Sequence, residues 1–383
     1  MGLSPSLHHG GIGPGVSFGL SGLSAHAAGR SAQDYHHALR HIVEASVLAE
    51  QLGLDAVWTC EHHLSDSGYL PAPLVALAAI AERTERVTVG TDILLISMWD
   101  PVRLSEEAAV VDQLSAGRLI IGTGIGYREA EFEGLGFHRR DRVARMADCI
   151  RVLREAAGGT VHDVGGLGDG SVLDTSPLPY QRGGPPIWIG GQVEAAVRRA
   201  RRLGDGYFAP LMSPRGLHGK IDWLNDEQPL ENFSVAQTTL VFVAATGAAD
   251  IAAPGMGLLQ AESRKWRGQA GGDDALAIAE WRPGQPWASA DPSRFELPSD
   301  EQLTHAVVIG TPDECIARLR PYVEELAAIP GGGVGHLAAR LTYPGLSDTD
   351  NMDSIRLYAT EVVPALREVA ARRRAATPSA AKS

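Results

Sequence analysis

The 383-residue sequence predicts an α/β protein of the (β/α)8 TIM-barrel type with long insertions. Three observations carry that expectation. Strand-like and helix-like segments alternate along most of the chain, eight of them read as strands, and those strands are mostly unbroken apolar runs. Unbroken runs mark strands buried on both faces, as in a parallel sheet covered by helices. Eight such units over roughly 250 or more residues are what a barrel needs. A doubly wound open sheet is the alternative.

Residues 1–15 are rich in Gly, His and Ser, without the basic and apolar regions of a secretion signal, and read as a flexible arm. Val16 to Leu20 is the first strand. A helix follows from Ser31 to Leu52, with Ser31 as N-cap. Asp55 to Cys60 and Arg86 to Ile96 read as strands around a Pro71–Arg83 helix. Pro101 to Leu114 starts with the proline that helix N-termini favour. Arg118 to Thr123 is the fourth strand, and Arg140 to Ala156 the next helix. Pro186 to Gly190, Gly206 to Ala209, Thr238 to Ala245 and His336 to Leu341 complete the strands. Val193–Leu203, Pro312–Ala327 and Ser354–Arg374 are the remaining helices, and 376–383 reads as a tail. Two segments break the rhythm. Gly158 to Gln181 alternates Val and Leu among glycines and reads as an excursion or hairpin. Ala248 to Glu301 contains Gly271-Gly272 and Pro283, Pro286, Pro292 and Pro298, and loops this long tend to be lids or binding loops.

Composition narrows the function classes. Apolar residues make up 44%, enough for a large core, and no stretch reaches the length of a membrane span. The net charge of −12, with no basic block, argues against nucleic acid and anionic membranes as partners. Three widely spaced cysteines (Cys60, Cys149 and Cys315) suggest neither disulfides nor a zinc ribbon and fit a reducing cytoplasm.

Catalytic groups of such a barrel come from residues just past the strand ends. After the second strand stands Glu61-His62-His63. This group reads three ways: as metal ligands, as an acid/base or hydrogen-bonding histidine with its neighbour packed behind it, or as two imidazoles satisfying buried hydrogen bonds. Against the metal, consecutive residues on extended backbone point to opposite sides. The third strand passes Asp92-Ile93 and ends near Met98-Trp99. The fourth leads into Gly122-Thr-Gly-Ile-Gly-Tyr-Arg128, whose glycines let backbone N–H groups approach a phosphate or a flat ring. It is not the dinucleotide fingerprint, because its third glycine falls one residue early. Gly190-Gly191 before the Val193 helix is a second cradle of this kind, whereas Gly331 to Gly335 reads as a plain loop. Trp58 and Trp188 lie inside strands and read as core, while Trp99 at a strand end fits either role.

Taken together these segments resemble the bacterial luciferase-like flavin monooxygenases. The resemblance rests on Leu52 to Trp58 followed by Glu61-His62-His63, on Asp100-Pro-Val-Arg103 and Val111 to Arg118, and on Tyr180 to Gly184 before Pro186-Ile-Trp188. Gly310 to Cys315 and Glu361 to Ala365 resemble the family's closing signatures, so the likeness runs from about Phe18 to Val369. It implies a single barrel domain over 16–375, a homodimer, and reduced FMN or, in some branches, a deazaflavin. His62 matches the catalytic histidine near the reactive face of the ring, and His63 a supporting one. Asp92-Ile93 falls where the family often has a non-proline cis peptide behind the ring. Gly124, Ile125, Gly126 and Tyr127, with Gly191, Gln192 and Val193, match the segments around the ring edge and the phosphate. Two departures stand out: Ile125 replaces an arginine and Gln192-Val193 a Glu-Ser pair, leaving Arg128 as the substitute phosphate contact.

The implied activity is two-component monooxygenation. Reduced FMN comes from a separate NAD(P)H:flavin reductase and O2 is the oxidant, with a small organic molecule as substrate. A deazaflavin-dependent hydride-transfer enzyme on the same fold is the alternative, and a non-catalytic flavin-binding protein a third reading. Met98, Trp99 and Met212 suggest an apolar substrate wall, with the 248–301 segment adding specificity.

Overall fold

The computed structural model describes residues 15–25, 31–163, 170–226, 230, 232–267, 307–330 and 333–376. The expected arm (bar Gly15), most of the tail, Gly331, and the 268–301 part of the expected lid, with Gly271-Gly272, lie outside them. The strands are β1 (Val16–Leu23), β2 (Ala56–Thr59), β3 (Thr88–Thr91), β4 (Leu119–Thr123), β5 (Thr160–His162), β6 (Val172–Asp174), β7 (Ile187–Gly190), β8 (Gly206–Ala209), β9 (Ser234–Val243), β10 (Val307–Gly310) and β11 (Gly335–Arg340). Eight of them form a closed parallel ring in the order β1-β2-β3-β4-β7-β8-β9-β11, with β11 returning to β1. The (β/α)8 barrel is therefore present, and the open sheet is not. β5 and β6 form the antiparallel hairpin expected within 158–181.

Around the ring lie α1 (Ala32–Gln51), α2 (Pro73–Ala81), α3 (Pro101–Leu114), α4 (Glu129–Gly134), α5 (Arg142–Ala156), α6 (Glu194–Leu203), α7 (Pro214–Asn225), α8 (Ala248–Arg267), α9 (Pro312–Ala327), α10 (Asp348–Leu357) and α11 (Val363–Ala376). Their starts follow from local chemistry. Ser31 and Asp34 close a capping box on α1, Thr311 and Glu314 another on α9, and the Asp100 carboxylate caps α3 ahead of Pro101. No described helix is long and apolar enough to cross a membrane.

Several elements differ from expectation. The first part of the presumed loop is helical: α8 occupies 248–267. β10 pairs with β9 beyond the stretch that β8 occupies, lengthening one edge of the ring. The closing helix begins earlier, at α10, and passes through a π turn at Tyr358–Val362. Pro364 follows that turn and has no N–H to return to it. β3 leaves the sheet at Asp92 rather than running to Ile96, after which the Leu94 N–H bonds the Gly122 carbonyl.

The period-2 alternation of the strands sorts the core into two layers. Val57, Val89, Leu119, Ile121, Ile187, Ile189, Val235 and Leu337 face the helices. Their alternates Trp58, Ile120, Trp188, Phe208, Ala236 and Ala338 fill the barrel interior. Trp58 and Trp188 pack with centroids 5.3 Å apart, and Phe208 meets Trp58 edge-on at 5.2 Å. Glycine makes room for them: a Cβ on Gly90 would come within 2.4 Å of Trp58, and one on Gly206 within 2.5 Å of Trp188. This aromatic plug is the floor of the mouth above it.

Candidate active site

Further along the alternation, by one step on most strands and two on β4, the interior positions at the C-terminal strand ends are Ser21, Cys60, Asp92, Gly124, Gly190, Thr238 and Arg340. The mouth is thus lined by small and polar groups over an aromatic floor. Asp92 stands in it, accepting hydrogen bonds from the hydroxyls of Ser21 and Thr238, the latter at 3.2 Å. Burial pushes its carboxyl up to about 6, although those hydrogen bonds and the Arg340 charge pull the other way. The Asp92–Ile93 peptide is cis. The Ile93 side chain rests on the floor cluster and against Gly124, where a Cβ would lie 2.3 Å from its Cδ1.

His62 and His63 emerge from β2 and turn to different carboxylates. His62 Nδ1 lies 2.9 Å from Glu131 Oε1, and its backbone N–H bonds the Leu70 carbonyl. The ring is flanked edge-to-face by Tyr69 at 4.8 Å and Tyr127 at 6.0 Å. Glu131, in α4, is fully buried and also accepts from the His63 N–H and the Arg128 guanidinium, each at 2.9 Å. Burial opposes its charge. The hydrogen bond and charge of His62, the His63 N–H and Arg128 more than offset that, and its pKa falls below the usual carboxylate value. An acceptor at Nδ1 keeps the proton there in the neutral imidazole and leaves Nε2 the basic nitrogen.

His63 Nε2 is 2.9 Å from Glu61 Oε1. Glu61 is itself buried and accepts from the Trp99 indole at 3.0 Å and from the Leu95 N–H. Burial works against the His63 imidazolium, but the Glu61 hydrogen bond and the charges of Glu61 and Glu131 outweigh it and raise its pKa.

The glycine loop after β4 adjoins this cluster. Gly126 has a φ of +71°, and a Cβ there would meet the Met98 methyl at 2.7 Å. Ile125 is partly buried, and its carbonyl accepts from Ser97 at 2.7 Å. Across the mouth, the Gly191 carbonyl accepts from Tyr207, and Gln192 leads to Val193, the N-cap of α6. Val193 offers no capping side chain, so none of the first N–H groups of α6 is taken that way. Arg128 does not stand as a phosphate contact. It is 2% exposed and its guanidinium meets Glu131 and the His63 carbonyl, because α4 starts immediately after it and brings Glu131 within reach. The proposed substrate wall is also dispersed. Met98 packs with Leu95 and Phe132, Met212 lies in the main core, and Trp99 is tied to Glu61.

Sequence reasoning missed Glu131 and Tyr69. An acidic residue three positions after an arginine was the available signal for Glu131. Nothing local marks Tyr69, which reaches His62 only through the fold.

The profile of the luciferase-like monooxygenase family matches residues 16–328, and the chain belongs to that family of oxidoreductases. Among curated relatives, the F420-dependent glucose-6-phosphate dehydrogenase of Amycolatopsis mediterranei is 27% identical over 86% of this chain and 95% of its own. The oxygenase component of the flavin-dependent trigonelline monooxygenase of Acinetobacter baylyi is 30% identical over 39% of this chain and 42% of its own. The chain spans about half the length of several other curated relatives it matches. Among solved structures, the oxygenating constituent of 3,6-diketocamphane monooxygenase from Pseudomonas putida, in complex with FMN, superposes with a TM-score of 0.69 at 17% identity. It covers 91% of this chain and 98% of that one.

Proposed function

We propose that this chain is the oxygenase component of a two-component monooxygenase, which receives reduced FMN from a separate reductase and oxygenates a small organic substrate with O2. One observation carries the reading. A histidine with its Nδ1 held by a buried carboxylate stands beside a mouth whose floor is apolar and whose rim is Ile93, Gly124 and Gly190. That rim fits a flat ring: a side chain on Gly124 would collide with Ile93, so the surface stays shallow there. Reduced FMN, when bound, would supply the electrons that activate O2. Gly124 to Tyr127 would border the ring, and backbone N–H groups from Gly191 to the start of α6 would take the phosphate. His62 would hold or move a proton at Nε2, with Glu131 as its positioning residue and Arg128 locking Glu131 in place. His63 with Glu61 and Trp99 would brace the loop behind it.

The match to an F420-dependent dehydrogenase over 86% of this chain favours the second reading, hydride transfer with a deazaflavin. The two separate in one experiment. Trp58 and Trp188 lie under the mouth and report ring binding by fluorescence quenching. Anaerobic titration with reduced FMN and with reduced F420, followed by air, should give quenching by FMN and O2 uptake coupled to substrate oxygenation. Tight binding of F420 with none of FMN would hand the case to the dehydrogenase reading.

A further inference from the structure

At the C-terminal ends of β1 and β11 the chain forms a half-open cavity of about 350 Å³ between α1 and α10. Arg340, the last residue of β11, lines it and is 8% exposed. Its stem crosses Gly22, where a Cβ would lie 2.7 Å from the arginine Cδ. Its guanidinium donates to the Tyr69 hydroxyl, and Nε lies 3.4 Å from the Thr342 carbonyl. Among the described residues no carboxylate forms an ion pair with it. Asp92 feels its charge, but its carboxylate oxygens take their hydrogen bonds from the Ser21 and Thr238 hydroxyls instead.

A second lining group is also unsatisfied. His41, on α1, has a side chain only 12% exposed, and neither ring nitrogen makes a hydrogen bond. Its Nδ1 lies 3.3 Å from Asp348 but is not aligned with it. The lining carboxylates already have partners: Asp34 is held in the Ser31 capping box, and Asp348 sits 2.6 Å from His37 Nε2. A buried cation without a counter-charge and a buried imidazole whose ring nitrogens make no hydrogen bond are both costly, and native proteins rarely leave either. The missing group is an anion that also accepts hydrogen bonds.

We propose that this cavity binds an oxyanion carried by the substrate (a carboxylate, sulfonate or phosphate ester), held between Arg340 and His41. Tyr69 connects the two sites. Its hydroxyl meets Arg340 and its ring edges His62, so Tyr69 stands between the anchor and the candidate reacting end, and the proposal requires an anchored substrate to reach around it. The proposal deepens the monooxygenase reading and rests on it for the identity of the reacting end.

Calorimetric titration of the full chain without cofactor, using hexanoate, hexanol and inorganic sulfate, tests the site directly. Hexanoate should bind at least about tenfold more tightly than hexanol, with sulfate competing. Arg340→Gln should weaken hexanoate roughly ten- to a hundredfold, as loss of a charged hydrogen bond implies, and His41→Phe less. Equal binding of acid and alcohol by the wild type, or no binding of either anion, overturns the proposal even if Arg340→Gln fails to fold. Unchanged hexanoate affinity in a folded Arg340→Gln does the same. Reduced FMN and reduced riboflavin are titrated in parallel. If Arg340→Gln abolishes the preference for FMN, Arg340 serves the cofactor phosphate and the substrate assignment falls. Hexanoate binding without any flavin binding would keep the anion site and discard the flavin-dependent reading; the reverse pattern discards the anion site alone.

Discussion

The two histidines after β2 each answer to their own carboxylate, and that division fixes how they respond to change. His62→Ala should lower turnover by about 10²–10⁴-fold while reduced-flavin affinity, read by fluorescence, stays near wild type. A loss under tenfold would remove His62 from the chemistry. His63 instead affects stability with a definite pH sign. Its folded pKa is raised, so its contribution is complete below the unfolded value of about 6.5 and disappears as pH rises through the folded value. His63→Gln should therefore lower Tm more at pH 6 than at pH 9; an equal drop at both would contradict the Glu61 pairing. At this scale the sequence exposed the histidines, because their position past a strand end is readable from the strand alone. It hid Glu131 and misassigned Arg128, because a charged pair on a short helix looks solvated until packing buries it. Once buried, the pair is sensitive. Arg128→Gln should cost about 3–5 kcal/mol in urea unfolding, since it strips Glu131 of its cation.

Elements with strong local chemistry were legible. Ser31 with Asp34, Asp100 with Pro101, and Thr311-Pro312 with Glu314 each announce a helix start by residues that must sit together in sequence. α7, β10 and α4 were not read. α7 carries a Ser213-Pro214 start of the same kind, but it stands between a four-residue strand and a stretch with no clear period. β10 is four residues long and is defined only by its pairing with β9. The two-layer sorting of the strands was also hidden, because apolar residues occupy both faces and the alternation shows only once glycines are seen under tryptophans. The β4 loop offers a test at this scale. Gly124→Val would force Ile93 aside and raise the rim of the mouth, so reduced-FMN quenching of Trp58 and Trp188 should weaken at least tenfold. Unaltered quenching would show that the ring does not lie against Ile93.

For the whole molecule, large apolar side chains are exposed at several places among the described residues, the 172–180 segment (Val172 55%, Tyr180 60%) and the α2–α3 face among them. Val75 on α2 is 68% exposed, and Val110 and Leu114 on neighbouring α3 are 44% and 41% exposed. Val110 and Leu114 stand four residues apart, so they share one stripe of α3. Scattered single apolar residues need no explanation, but a group on two adjacent helices is a candidate contact surface. We infer that this face meets a second copy of the chain, which would make the protein a homodimer whose two barrels pack through α2 and α3. An isologous contact of this kind places the same residues on both sides of a two-fold axis, so a single added charge is met by its own copy. Val110→Glu combined with Val75→Asp should then convert the protein to monomers in sedimentation velocity, with an unchanged circular dichroism spectrum because both positions lie outside the core. Wild-type protein that sediments as a monomer at micromolar concentration would remove the dimer, and a variant that remains dimeric would move the interface to another face.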